Sequence, residues 1–292
     1  MVKLLLQGSS GPEVVELRKR LAKTLGADAK MFALPSNSDT FDATLASAVR
    51  HWQSNIGIIA DGVVGPYCQS LLALIKLPVF ALRADEVQHL FPATKPSNVL
   101  RYLPYVAAAL TSEGLTTIPL ILAALGTIRA ETEGFVPISE YPSQFNTLPG
   151  LPAFSAYDAG TDKGKNLGNI NPGDGARFRG RGFVQLTGRS NYQKYASRIG
   201  VDIIGSPDLA NAPEVAAVLL AMFLGDRREA LTAALTATPP DYRKARRLVN
   251  GGAHGLDSFK KVFTLAAVLP AVMQQTSQIQ GAGAGRGARQ QA

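Results

Sequence analysis

The sequence predicts a mainly α-helical protein in two parts, a small three-helix bundle joined to a larger helical domain. Three observations carry this. Apolar residues recur at helical spacing, first at Val14, Leu17, Leu21 and Leu25 and later from Ile118 to Ala130. Prolines gather at Pro78, Pro92 and Pro96, between two stretches of different pattern. Hydrophobic residues make up 46% of the 292 and charged residues 18%, enough apolar material for ordinary cores and too little polarity for a disordered chain.

Taken in order, Gly11-Pro12 supplies a turn and an N-terminal proline ahead of the first stripe. A second stripe, Leu45, Val49 and Trp52, follows Asp39-Thr40, and Trp52 on that stripe is expected in the core. The turn Ala60-Asp61-Gly62-Val63-Val64-Gly65-Pro66 leads into a third helix through Leu71, Leu72 and Ile75. Residues 1–76 are therefore assigned to the bundle, and residues 77–98, with an amphipathic piece from Glu86 to Leu90, to a linker and entry into the second domain. That domain is expected over residues 99–272, with helices at Val99–Leu110, Ile118–Ala130, Glu214–Leu235, Tyr242–Val249 and Phe259–Val272. Between them, residues 134–183 are rich in Gly, Pro, Asn and Asp, and so long a loop in a compact domain is usually functional. The Gly/Ala/Gln-rich tail, 273–292, is expected to lack fixed structure.

Composition narrows the function. A formal charge of +8 and a pI near 9.6 favour an anionic partner, whether nucleic acid, a membrane surface or an acidic wall polymer. Cys68 is the only cysteine, so an intramolecular disulfide and a four-thiolate metal site are excluded. His51, His89 and His254 lack metal-ligand spacing, and no metal or cofactor is implied. No stretch is long enough to span a membrane. The opening Met-Val-Lys-Leu-Leu-Leu-Gln is too short for a secretory core, so synthesis in the cytoplasm without a signal peptide is expected.

Two carboxylates stand out. Glu131 falls at the end of the Ile118–Ala130 helix, where the helix end and an apolar neighbour such as Phe135 offer the surroundings a general acid needs. Glu140 follows beyond Gly134, and two carboxylates placed this way can face one another across a groove; inverting glycoside hydrolysis needs such a pair roughly 6.5–9.5 Å apart. Glu133 lies in the same run without an assigned role. Further on, Arg177-Phe178-Arg179-Gly180-Arg181-Gly182 has the look of a nucleic-acid-binding segment. Its continuation argues otherwise, because Gln185, Thr187 and Asn191 are neutral hydrogen-bonders suited to sugar hydroxyls and N-acetyl groups.

The first segment resembles the peptidoglycan-binding three-helix domain of wall hydrolases, through Gln7 to Leu17, Ala48 to Gln53, Ile56-Gly57-Ile58 and Asp61-Gly62-Val63-Val64-Gly65-Pro66. It departs at Phe41-Asp42, where that family has Phe-Gly. The second domain resembles the lysozyme-like family-19 chitinase and endolysin group, through Ala130-Glu131-Thr132-Glu133-Gly134-Phe135, Phe178 to Gly188 with Asn191-Tyr192, and Val249-Asn250-Gly251-Gly252. This likeness runs over about residues 81–272. It implies Glu131 as general acid, Glu140 as base, and Gln185, Thr187, Asn191, Tyr192 and Asn250 as groove residues. Ala130 and Glu133 stand where the group has His and Gly, and no arginine falls in the expected register after Asn250-Gly251-Gly252.

The expectation is thus a muramidase-type endolysin, monomeric, cleaving the β-1,4 bond between N-acetylmuramic acid and N-acetylglucosamine. It would reach peptidoglycan after release by a separate holin-type membrane protein. A chitinase is the nearest alternative, a non-catalytic wall-binding protein the next, and nucleic-acid binding the weakest.

Overall fold

The computed structural model describes residues 2–270, 272 and 273. The expected unstructured tail, apart from Met273, lies outside the described residues. The architecture is mainly helical, and none of the described helices is long and apolar enough to cross a membrane.

The small lobe is built from α1 (Pro12–Leu25), α2 (Ala43–Asn55) and α3 (Pro66–Leu71). Prolines open α1 and α3, where a missing N–H costs nothing. Leu17, Leu21, Leu45, Val49 and Trp52 fill one core, with Trp52 as expected on the inward stripe. The departure at Asp42 has a physical reason. Its carboxylate caps α2 by accepting from Leu45 N–H at 2.7 Å, and pairs at 2.7 Å with Arg18, whose side chain is fully buried. The cap bond first, then Arg18, hold the Asp42 carboxyl below its usual range, against the opposing effect of burial. The third helix ends at Leu71, short of the expected Ile75.

In the stretch read as linker and entry to the second domain, Leu82, Val87, Leu90 and Phe91 are buried in the large lobe's core around α4 (Ala84–Leu90), and the few residues around the exposed Val79 serve as connector. Next come α5 (Pro96–Ser112) and α6 (Ile118–Thr132), the two-residue strand β1 (Ile138–Ser139), the short helices α7 (Asp162–Asn166) and α8 (Asp174–Arg177), and β2 (Arg181–Gly182). Then follow α9 (Arg189–Ile199), α10 (Pro213–Gly225), α11 (Arg228–Leu235), α12 (Tyr242–Asn250) and α13 (Leu256–Ala266). Nearly every residue of α6 and α10 is buried, as in helices surrounded by others. On α6, Gly126 allows α13 to approach, since a β-carbon there would lie 2.9 Å from the Phe259 ring. The expected single helix 214–235 is two, because Asp226 turns aside to accept from Lys194, Tyr195 and Arg198 of α9. Helix α9 was hidden in sequence behind its motif residues.

The two cores meet along a buried seam. Leu4 and Val63 of the small lobe belong to the large core. The Tyr67 and Tyr105 rings pack edge to face at 5.0 Å, and Ile59 N–H donates to the Tyr105 hydroxyl at 3.3 Å. Glu214, completely buried at the start of α10, accepts from Cys68 N–H at 2.8 Å. Gly65 makes room for it, since a β-carbon there would fall 2.5 Å from Glu214 Oε2.

Candidate active site

A cleft of about 780 Å³ opens on the large lobe, and Glu131, Glu140, Gln185, Thr187, Asn191 and Asn250 all line it. They arrive on several supports, Gln185 and Thr187 together on the turn after β2. Glu131 rides the last turn of α6, which stops where Glu133 adopts a positive φ of 41°. Antiparallel pairing of β1 with β2, Ile138 opposite Gly182 and Ser139 opposite Arg181, carries Glu140 alongside Gly180, where Glu140 N–H donates to Gly180 O at 2.8 Å.

Gly180 is required by what surrounds it. A β-carbon there would lie 2.7 Å from Gln185 Oε1 and 3.2 Å from both Glu140 Oε2 and Thr187 Oγ1. Three acceptor oxygens therefore converge over one glycine. Gln185 holds a left-handed φ of 52°, costly for a non-glycine, and its amide N–H₂ is fixed by the carbonyls of Ile138 and Gly182 at 2.9 Å each. That leaves Oε1 free to accept in the cleft. Asn191 is anchored through Nδ2 to Thr187 O at 2.8 Å, and Asn250, ending α12, through Nδ2 to His254 O at 3.3 Å.

The Glu140 carboxylate is held by three donors. Asn146 Nδ2 and the Tyr157 hydroxyl donate to Oε1 at 2.8 and 2.9 Å, and Gly180 N–H donates to Oε2 at 3.1 Å. Burial, then the adjacent Glu140, push the Tyr157 pKa well up, so its hydroxyl keeps the proton it donates. The long loop is itself pinned by Asp174, which accepts from Arg189 Nε and Nη2 at 2.8 and 2.5 Å and from the N–H groups of Ile170 and Asn171. Burial works against this carboxyl, but Arg189 and the two backbone donors prevail and hold it at about 2.

Glu131 departs from the expected apolar setting. Phe135 turns into the core against Phe91 and Phe183, and Glu131 Oε1 instead receives Arg246 Nη2 at 2.6 Å. Arg246 is fully buried on α12, and its Nε donates to His254 O at 2.8 Å. The basic contact missing after Asn250 thus arrives from before it. Sequence reasoning missed Arg246, Asn146 and Tyr157; only for Arg246 was there a signal, its position on the stripe of Tyr242, Ala245 and Val249. Glu133 is exposed and absent from the cleft wall.

Tyr192 is a correction. It is wholly buried, donates its hydroxyl proton to Arg179 O at 3.1 Å and accepts from Arg181 Nη1 at 3.0 Å, so it braces the motif from behind and does not line the groove. Two arginines of the run are likewise taken up within the fold. Arg181 is 3% exposed and paired with Asp208 at 2.9 Å, and Arg177 donates to the carbonyls of Ile204 and Gly205.

Residues 10–72 match the family model of a putative peptidoglycan binding domain. A 46-residue stretch is 44% identical to Chitinase 8 of Oryza sativa subsp. japonica, covering 16% of this chain and 18% of the relative. The chain thus matches less than a fifth of that relative's length. Among solved structures it is similar to chitinase C from Streptomyces griseus HUT6037, with a TM-score of 0.44 at 16% identity over 65% of this chain and 78% of that one. A bacterial family 19 chitinase gives 0.42 at 19% identity over 65% and 97%, and the Burkholderia AP3 phage endolysin 0.22 at 17% over 90% and 96%.

Proposed function

We propose that the protein is a glycoside hydrolase of the bacterial cell wall, cutting the β-1,4 bond between N-acetylmuramic acid and N-acetylglucosamine with inversion. The observation that carries this reading is that Glu131 and Glu140 line one cleft, with the oxygens of Gln185 and Thr187 gathered beside Glu140. Arg246 occupies Glu131 Oε1, so Oε2 is the oxygen able to deliver a proton to the leaving sugar. Glu140, with both oxygens oriented by donors, takes the proton of a water that attacks the anomeric carbon from the opposite face. Gln185, Thr187, Asn191 and Asn250 hold hydroxyl and N-acetyl groups. The peptidoglycan-binding match at residues 10–72 favours wall over chitin as substrate. The setting that fits is a bacteriophage endolysin, let through the membrane by a separate holin-type protein.

Mass spectrometry of products from purified peptidoglycan tests this. New reducing ends on N-acetylmuramic acid are expected. Abundant 1,6-anhydro ends would make the enzyme a lytic transglycosylase instead, and cleavage of chitin alone would favour the chitinase reading that the 46-residue match to Chitinase 8 suggests.

A further inference from the structure

A second depression, of about 360 Å³, shares Glu140 with the main cleft and is walled by Ser139, Tyr141, Pro142, Phe154 and Arg179. The hydrolytic roles given above make no use of it. Arg179 is its cation, and this arginine differs from its neighbours in how it is spent. Arg181 is paired with Asp208, and Arg177 is taken up by two carbonyls. Arg179 gives Nη1 to Ala176 O at 2.9 Å and lies with Cζ 5.6 Å from the centre of the Phe154 ring. Among the described residues it makes no ion pair, and its Nε and Nη2 have no partner.

That free side is the edge of a guanidinium that grips carboxylates with two parallel bonds. The protein uses the same edge elsewhere. Arg189 holds Asp174 through Nε and Nη2 at 2.8 and 2.5 Å, and Arg83 holds Asp85 through the same atoms at 3.1 and 2.9 Å. Stacking on Phe154 orients the Arg179 plane before anything binds. Glu140, which lines the same depression, makes no ion pair with it, and its oxygens are turned to Asn146, Tyr157 and Gly180.

We propose that this depression is a subsite for a carboxylate-bearing substituent of the glycan, with Arg179 as the residue that sets specificity. The inference rests on the glycosidase reading. A homopolymer of N-acetylglucosamine carries no carboxylate. Peptidoglycan does, either on the lactyl ether of N-acetylmuramic acid or on the peptide attached to it. Arg179 therefore separates the two polymers at a point beside the proposed base.

The test compares the full chain with Arg179→Gln and Arg179→Lys on three substrates: peptide-bearing glycan strands, the same strands stripped of peptide so that the lactyl carboxylate is free, and neutral chito-oligosaccharide. Arg179→Gln should lower kcat/KM on a carboxylate-bearing strand at least about tenfold relative to the neutral one, the scale of a lost charged hydrogen bond. Arg179→Lys, which keeps the charge without the fork, should fall between. Loss confined to stripped strands assigns the lactyl group, and loss confined to peptide-bearing strands assigns the peptide. An equal fall on all three, or none on either acidic strand, overturns the subsite. A readout independent of turnover is NMR titration of the Glu131→Gln chain with a muramyl peptide. Shifts at Phe154 and Gly180 are expected and should vanish when Arg179→Gln is added; their absence before that change also overturns the subsite. A parent chain that cleaves no glycan would sink the hydrolase reading alone, leaving the titration to judge Arg179.

Discussion

Glu214 and Cys68 meet across the seam between the two cores, where the buried Glu214 carboxyl accepts the Cys68 backbone N–H at 2.8 Å, with Tyr67 N–H at 3.4 Å beside it. The two residues are 146 positions apart in the chain, so this bond reports directly on docking of the lobes. Under the proposed function, a binding lobe fixed in this way would present the wall to the cleft in one orientation. A bundle tethered only by a flexible linker would not.

Stability should therefore depend on pH through Glu214. Burial pushes its carboxyl up to about 7, against the opposing pull of Cys68 and Tyr67 donors, while Asp61 adds a further upward push. Burial also raises Cys68, Tyr67, Tyr105 and Asp61, the other titratable groups that interact with it. The unfolded chain loses this proton near 4.5 and the folded one near 7, so the contribution is full below about 4.5 and is lost as pH rises through 7. The span is worth at most about 3 kcal/mol. Urea unfolding at pH 5 and pH 8 should show the parent weakening between them and Glu214→Gln weakening much less. Identical pH dependence in the two proteins would remove Glu214 from the account.

How much of this was legible beforehand depends on what decides each position. Helices such as α1, α2 and α6 follow from apolar spacing and their opening prolines, which are local properties. The split between α10 and α11 depends on Asp226 being drawn to α9, a contact no local pattern encodes. Glu131 and Glu140 were readable as candidates because a helix end and a glycine break flank them, yet their partners were not. Arg246 sits among Arg243, Lys244 and Arg247, and its place on the stripe of Tyr242, Ala245 and Val249 is the one sequence sign that it is the buried member, while its partner Glu131 has no local signal. Tyr192 failed for the opposite reason, since its neighbours in the motif do face the cleft and it does not.

Asp174 should govern the loop that carries the base's partners. Its ion pair with Arg189 fixes the start of α9, and Asn169 beside it bonds both Arg189 N–H and Tyr157 O. Asp174→Asn should cost about 2 kcal/mol or more, the scale of lost hydrogen bonds to a charged group, and lower activity with it. Because the carboxyl is held at about 2, below its ordinary 3.8, its contribution is present above about pH 4 and lost as pH falls through 2. Thermal unfolding of parent and variant should differ at pH 7 and converge near pH 2; a constant difference would contradict the ion pair's role.

At the proposed base, loss of activity should be graded by closeness to the Glu140 carboxylate. Glu140→Gln removes the proton acceptor and sets an amide N–H₂ against at least one of its three donors, so activity should fall at least about 10²-fold. Tyr157→Phe deletes one donor and leaves Asn146 and Gly180, for a loss nearer tenfold by the weight of one hydrogen bond. Glu133→Gln, exposed and outside the cleft, should be close to parental. Initial rates on purified peptidoglycan give the order directly, and a Glu133 variant as poor as the Glu140 variant would displace the assigned base.

At the proposed acid, structure and chemistry can be pulled apart, because Glu131 is paired with the buried Arg246. Arg246 is fully buried, and its Nη1 has no hydrogen-bond partner among the described residues, so its charge leans on Glu131 at 2.6 Å. Glu131→Gln keeps the shape but removes both the dissociable proton and the counter-charge. Activity should drop by about 10²–10⁴-fold, and the protein should also lose stability, because a buried cation left facing an amide is costly. Removing both charges is a different matter, since no buried cation is then left without its counter-charge. Glu131→Gln combined with Arg246→Met should therefore recover much of the melting temperature lost by the single change while activity stays as low. Circular dichroism melts and peptidoglycan turnover on the same preparations decide it. If the double variant regains activity along with stability, Glu131 is a structural partner of Arg246 and another group supplies the proton.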